Sequence, residues 1–192
     1  MKKAVLILTV LLAGVLFAQT QKNDINGTFE KCRANNKGFV TPEGWVKDKQ
    51  SKGIKFSATT EEVRSGKFAL YIEADAKALA HLYYFPSTVK AQTGDTVVFT
   101  VYGKGEGSFR LGAIAYSDEE KSIFLRTIAA KAQKISDGEK WQKFTFTIPI
   151  GKTRRKGKEY TTLRLRPAVI ISGEGEFVLD DLNCEIKGKI SK

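Results

Sequence analysis

The chain has 192 residues, one histidine, two cysteines and a formal charge of +11. The single histidine, His81, excludes a zinc site built from several histidines, and the length allows one domain with a real core but is tight for two. The basic excess favours anionic partners (acidic polysaccharide, membrane lipid or nucleic acid), with plain solubility as the alternative.

Met1, Lys2 and Lys3 precede an apolar run over residues 4–17, and the small Ala18 stands before the polar Gln19, Thr20 and Gln21. Charged start, apolar middle and small residue at the cut form the pattern of a secretory signal peptide over residues 1–18. The run is shorter than the roughly 20 residues a spanning helix needs; an uncleaved anchor is the alternative. The expectation is an exported protein of bacterial type, secreted, periplasmic or at the cell surface, with one domain over residues 22–188. No integral membrane segment would then remain, and nucleic acid would not be its purpose. Export admits a disulfide between Cys32 and Cys184, which would close a very long loop and contribute roughly 4–5 kcal/mol in the chain-entropy picture. Two unpaired, buried thiols are the alternative.

Period-two alternation follows. Ile54, Phe56 and Ala58 alternate with Lys55, Ser57 and Thr59; Phe68, Leu70 and Ile72 with Ala69, Tyr71 and Glu73. In the segment 80–85, His81, Tyr83 and Phe85 fall on one face, Leu82 and Tyr84 on the other. Residues 96–102 are β-branched and aromatic, and residues 122–128 read as a strand despite the alanines after them. Phe144, Phe146, Ile148 and Ile150 alternate with Thr145, Thr147 and Pro149; Leu163 and Leu165 with Arg164 and Arg166; Phe177 and Leu179 with Val178 and Asp180. Such alternation puts one strand face on a core. Turn chemistry separates the runs at 41–44, 65–66, 93–95, 103–107, 137–138 and 172–175. The basic cluster Lys152, Arg154, Arg155, Lys156 and Lys158 reads as a solvated loop, with a binding patch as the alternative. Short strands punctuated at this rhythm predict an all-β, antiparallel sandwich.

Six landmarks stand in a telling order: Asn26-Gly27-Thr28-Phe29-Glu30, Pro42-Glu43-Gly44-Trp45, the run from Ser65-Gly66-Lys67 to Ile72, the run from Ala91 to Thr96, Trp141-Gln142-Lys143-Phe144-Thr145-Phe146, and the run from Gly175 to Leu182. Together they resemble the carbohydrate-binding modules of the cellulose- and xylan-binding kind, on the galactose-binding-like jelly roll. The resemblance implies a seam between first and last strands, with Phe29 and Phe177 feeding the core. It also implies one structural calcium held by Glu30, Asp180 or Asp181 and the backbone of residues 65–67, Lys67 included. Calcium takes six to eight hard oxygens, which two carboxylates with carbonyls and water supply; solvated turn acids are the alternative.

The resemblance places a glycan on a concave sheet face. His81, Tyr83 and Phe85 fit that role because sugars stack on aromatic faces while polar groups take the hydroxyls. Arg164 and Arg166 share a face and suit carboxylate or sulfate. Tyr71, Tyr116 and Trp141 are further candidates, and for any one aromatic the alternative is core packing. No Ser-His-acid elbow and no phosphate-cradling loop is present. A carboxylate pair for glycoside hydrolysis stays open, as does a lyase using a tyrosine or histidine with arginine. A sandwich that contacts another protein is the third reading.

Overall fold

The structure, a computed structural model, describes residues 21–22, 25–34 and 39–188, so the expected leader over 1–18 lies outside the described residues. No described residue is helical. The strands are β1 (Gln21–Lys22), β2 (Cys32–Ala34), β3 (Val40–Pro42), β4 (Trp45–Lys47), β5 (Lys52–Thr59), β6 (Ala69–Tyr84), β7 (Val89–Gln92) and β8 (Thr96–Ser117). They continue with β9 (Phe124–Ala129), β10 (Gln133–Ile135), β11 (Gln142–Pro149), β12 (Thr153–Arg155), β13 (Lys158–Tyr160), β14 (Thr162–Ser172) and β15 (Gly175–Lys187).

Two long bent strands build two layers of an antiparallel jelly-roll sandwich. The first part of the 22-residue β8 pairs with β11 and β15, and its last part with β14 and β9. β6 likewise pairs with β5 and β15 early, then with β14 and β4. The first layer therefore runs β5, β6, β15, β8, β11, and the second β4, β6, β14, β8, β9, with β7 beside β14. The glycine run 103–107, expected as a turn, is the bend at which β8 passes from one layer to the other. Gly105 has φ of 110°, and a Cβ there would stand 2.5 Å from the Glu176 carbonyl oxygen; at Gly107 it would meet the Phe177 ring at 2.8 Å. Only glycine tolerates both the conformation and the approach.

The core closes between the layers. Phe109 of the second layer lies 5.3 Å from Phe144, 5.4 Å from Phe146 and 5.8 Å from Phe177 of the first, ring centre to ring centre. Truncating such a side chain costs about 3–5 kcal/mol. Trp45 is buried at one end, its ring 5.8 Å from Phe29 and 5.9 Å from Tyr84. The turn glycines Gly44, Gly66 and Gly94 all have positive φ.

Three expectations change. First and last strands do meet, but through β1, with Gln21 opposite Ile186; Phe29 and Phe177 are both buried, Phe29 against Trp45 and outside any strand. The Cys32–Cys184 bridge is replaced by two free thiols. Cys32 stands opposite Pro42 in the β2–β3 hairpin, its Sγ donating to the Phe29 carbonyl at 3.0 Å. Cys184 is buried in the core on β15, opposite Phe99. The basic cluster is a hairpin, not a loop. Lys156 and Gly157 take the left-handed conformation of a two-residue turn between β12 and β13, which matches the right-handed twist of the flanking strands. Its cations are partly spent, Lys152 and Arg154 on Glu159 and Lys158 on Glu119.

Candidate functional site

The outer face of the second layer gathers most of the candidate residues. Along β14, Leu163, Leu165, Val169 and Ile171 belong to the core, so Arg164, Arg166, Ala168 and Ile170 point away from it. Cross-strand register extends each position into a rung. One rung carries Lys90, Arg164, Tyr116 and Phe124, and the next Arg166, Ile114 and Thr127. Then follow Tyr83, Ala168, Gly112 and Ala129, and finally His81, Ile170 and Arg110. Ile114, Ala168 and Ile170 are buried yet outside the core cluster. They form a low apolar floor beneath the arginine and aromatic side chains.

The aromatic groups stand in a row broken by a cation. Tyr83 and Phe85 lie 6.5 Å apart, Tyr116 and Phe124 6.2 Å apart. The Arg166 guanidinium sits between the pairs, 4.5 Å from the centre of Phe85 and 4.9 Å from that of Tyr116. Phe85 is 53% and Phe124 47% exposed, so each offers ring surface to a ligand. Arg155 of the hairpin reaches the far end, 5.8 Å from the Phe124 ring.

Charges on the face differ in their company. Asp118 accepts from Arg164 Nε at 2.7 Å and pairs with Lys90 at 2.7 Å; these two contacts, Lys90 first, hold its carboxyl below the usual range. The Nε atoms of Arg110 and Arg166 are buried with no hydrogen-bond partner. Burial holds the His81 imidazole below its ordinary value, with Arg110 adding and Asp48 opposing. Burial likewise raises the Tyr83 hydroxyl, so it keeps its proton.

His81, Tyr83, Phe85, Tyr116, Arg164 and Arg166 thus share one face, while Tyr71 and Trp141 do not. Tyr71 lies on the first layer and donates to Glu176 at 2.8 Å; burial, then that contact, pushes its hydroxyl up to about 12. Trp141 precedes β11, whose first residue Gln142 pairs with Gly103 of the first layer. Arg110, Asp118 and Phe124 join these candidates only through cross-strand pairing. Phe124 falls in the strand that the sequence predicts over residues 122–128, whereas Arg110 follows the glycine run whose composition points to a turn.

The acids expected around calcium all bind the turn at residues 64–68, but among the described residues no three acids form a group that could hold a metal ion. Glu30 accepts from the Lys67 and Phe68 amides at 2.9 and 3.1 Å. The buried Asp180 accepts from the Arg64, Ser65 and Asp181 amides at 3.0, 3.0 and 2.7 Å. Asp181 takes the Arg64 guanidinium and the Ser65 hydroxyl. Calcium takes six to eight oxygens, and a cation here would share these carboxylates with the amide, guanidinium and hydroxyl donors they already accept.

On the outer face of the first layer Glu176 stands opposite both Glu73 and Glu106. The three border an open cleft of about 680 Å³ with Asp75, Glu174 and Lys134. Glu73 is paired with Lys55 at 2.7 Å. This cleft carries no exposed aromatic ring of the kind displayed on the second layer.

Comparison with known proteins reaches the fold. A cyclase from Fischerella sp. TAU aligns with 90% of this chain and 100% of its own, at TM-score 0.56 and 13% identity. The CBM22-1 and GH10 modules of xylanase 10B from Clostridium thermocellum, solved with xylohexaose, align with 78% of this chain and 27% of theirs, at TM-score 0.50 and 16% identity. An arabinose-bound GH51 α-L-arabinofuranosidase aligns with 84% and 26%, at TM-score 0.53 and 9% identity. No protein-family model matches the sequence, nor does any characterised protein sequence. The fold is therefore shared by a binding module and by enzymes, and the site has to decide between them.

Proposed function

We propose that this is an exported protein that recognises carbohydrate without altering it, on the outer face of the second layer. The observation that carries the reading is the row Tyr83, Phe85, Tyr116 and Phe124, two of whose rings are about half exposed, interrupted by Arg166. Ring faces receive the C–H side of a pyranose and the flanking donors take its hydroxyls. The shared fold of a module solved with xylohexaose supports the same reading. Affinity electrophoresis against a panel of neutral and acidic polysaccharides tests it: retardation by at least one polymer that survives added salt, and is lost in Phe85→Ala or Phe124→Ala, is the expected result. No retardation by any polymer sinks it and favours docking of a protein on this face.

One arrangement favours a lyase as the second reading. His81 and Tyr83 lie on successive rungs with Arg110 and Arg166 nearby, the groups such chemistry uses. Release of unsaturated uronate from an acidic polysaccharide, lost in Tyr83→Phe, would establish it.

A further inference from the structure

We infer that this face selects sugars bearing an anionic substituent, carboxylate or sulfate, and that Arg166 and Arg110 read the charge while Arg164 does not. The inference rests on the carbohydrate reading of the same face and adds the chemical class of its ligand.

The three arginines point outward from neighbouring strands but differ in what they face. Arg164 is committed to Asp118, which Lys90 also holds. Arg166 and Arg110 have no ion pair among the described residues, and the Nε of each is buried without a partner. An unmatched buried donor is costly, and a neighbouring anion offsets the desolvation of the charge that carries it. Both residues are only partly buried, and the planar end of a guanidinium matches a two-oxygen anion.

Arg166 is also held in place. Phe85 and Tyr116 flank its guanidinium, a contact that attracts the cation to the ring faces. A sugar on the exposed part of Phe85 therefore lies one ring away from Arg166, within reach of substituents that extend past the ring edge. Arg110 shares the last rung with His81, which burial keeps uncharged as a hydrogen-bonding neighbour. Along β8, Arg110 lies four residues from Ile114, the residue opposite Arg166. That is about 13 Å at strand rise, longer than one sugar. Two arginines rooted at backbone positions this far apart suit an oligosaccharide with more than one anionic unit.

Calorimetric titration of the intact chain with two matched pairs tests the inference: oligogalacturonate against its carboxyl-reduced form, and a sulfated galactan oligosaccharide against its desulfated form. The expected result is tighter binding of the charged member of one pair by about 10- to 100-fold, with the pair identifying the anion. Arg166→Gln and Arg110→Gln each reduce that ratio. Arg166→Lys, which keeps charge but not the fork, reduces it too and serves if the glutamine variant folds poorly. Lys55→Gln, one charge removed from the opposite layer, leaves the ratio intact. A ratio near one in both pairs overturns anion selection, and so does a ratio indifferent to both arginine variants and erased by salt. Failure of all four probes overturns it as well; binding of a neutral polymer in the electrophoresis panel then keeps the carbohydrate reading alone.

Discussion

Phe85 turns one side of its ring to the Arg166 guanidinium at 4.5 Å and leaves 53% of its surface to solvent. A ring that is half exposed contributes little to folding and is free for a ligand. Phe85→Ala is expected to leave stability within about 0.5 kcal/mol and to weaken glycan binding about tenfold, the scale of one aromatic contact. Phe109→Ala, in the core, should instead cost about 3–5 kcal/mol. Urea unfolding and titration of both variants separate the two effects.

His81 gives the face a defined pH response. Its folded-state value lies below the ordinary 6.5, chiefly through burial. Between that lowered value and 6.5 the unfolded chain binds the proton more readily, so stability falls as the pH drops through this window and is fully present above it. As His81 is the only histidine, His81→Gln should flatten this part of the stability profile, read from urea midpoints at several pH values. An unchanged slope would assign the response to other groups.

Asp180 binds three backbone amides around the bulge in β15. Asp180→Ala strands these three donors and is expected to cost at least about 3 kcal/mol, at about 1–3 for each unmatched group. Asp180→Asn, which keeps an acceptor oxygen, should cost less. Calcium and chelator alike should leave the melting temperature of the unsubstituted chain unchanged. A rise with calcium would mean that the carboxylates exchange their N–H partners for the ion.

The two thiols should behave independently. Burial pushes Cys184 up to about 12, and Cys32, half-buried beside Glu30, is also raised. Thiolate is the reactive form, so alkylation of the native chain should be slow at Cys32 and reach Cys184 only on unfolding. Reductant should not move the melting temperature. A peptide map showing Cys32 joined to Cys184 would overturn the described surroundings of both.

Much of this fold could be read along the chain. Alternation marks the strands, glycines at 44, 66 and 94 mark turns, and the outward sets His81, Tyr83, Phe85 and Arg164, Arg166 follow from period two alone. These are local properties, set by neighbours one to four residues away. Period two says which side of a strand a residue occupies, but not which layer that strand joins or what stands beside it. Long-range pairing therefore decided the rest. It put Tyr71 on the first layer, made the glycines of 103–107 a bend between layers, and kept Cys32 away from Cys184. It also set Asp118 against Arg164 while leaving Arg166 and Arg110 open. Sequence placed charges on the face, but which of them a ligand can use depends on cross-strand neighbours that lie far apart along the chain.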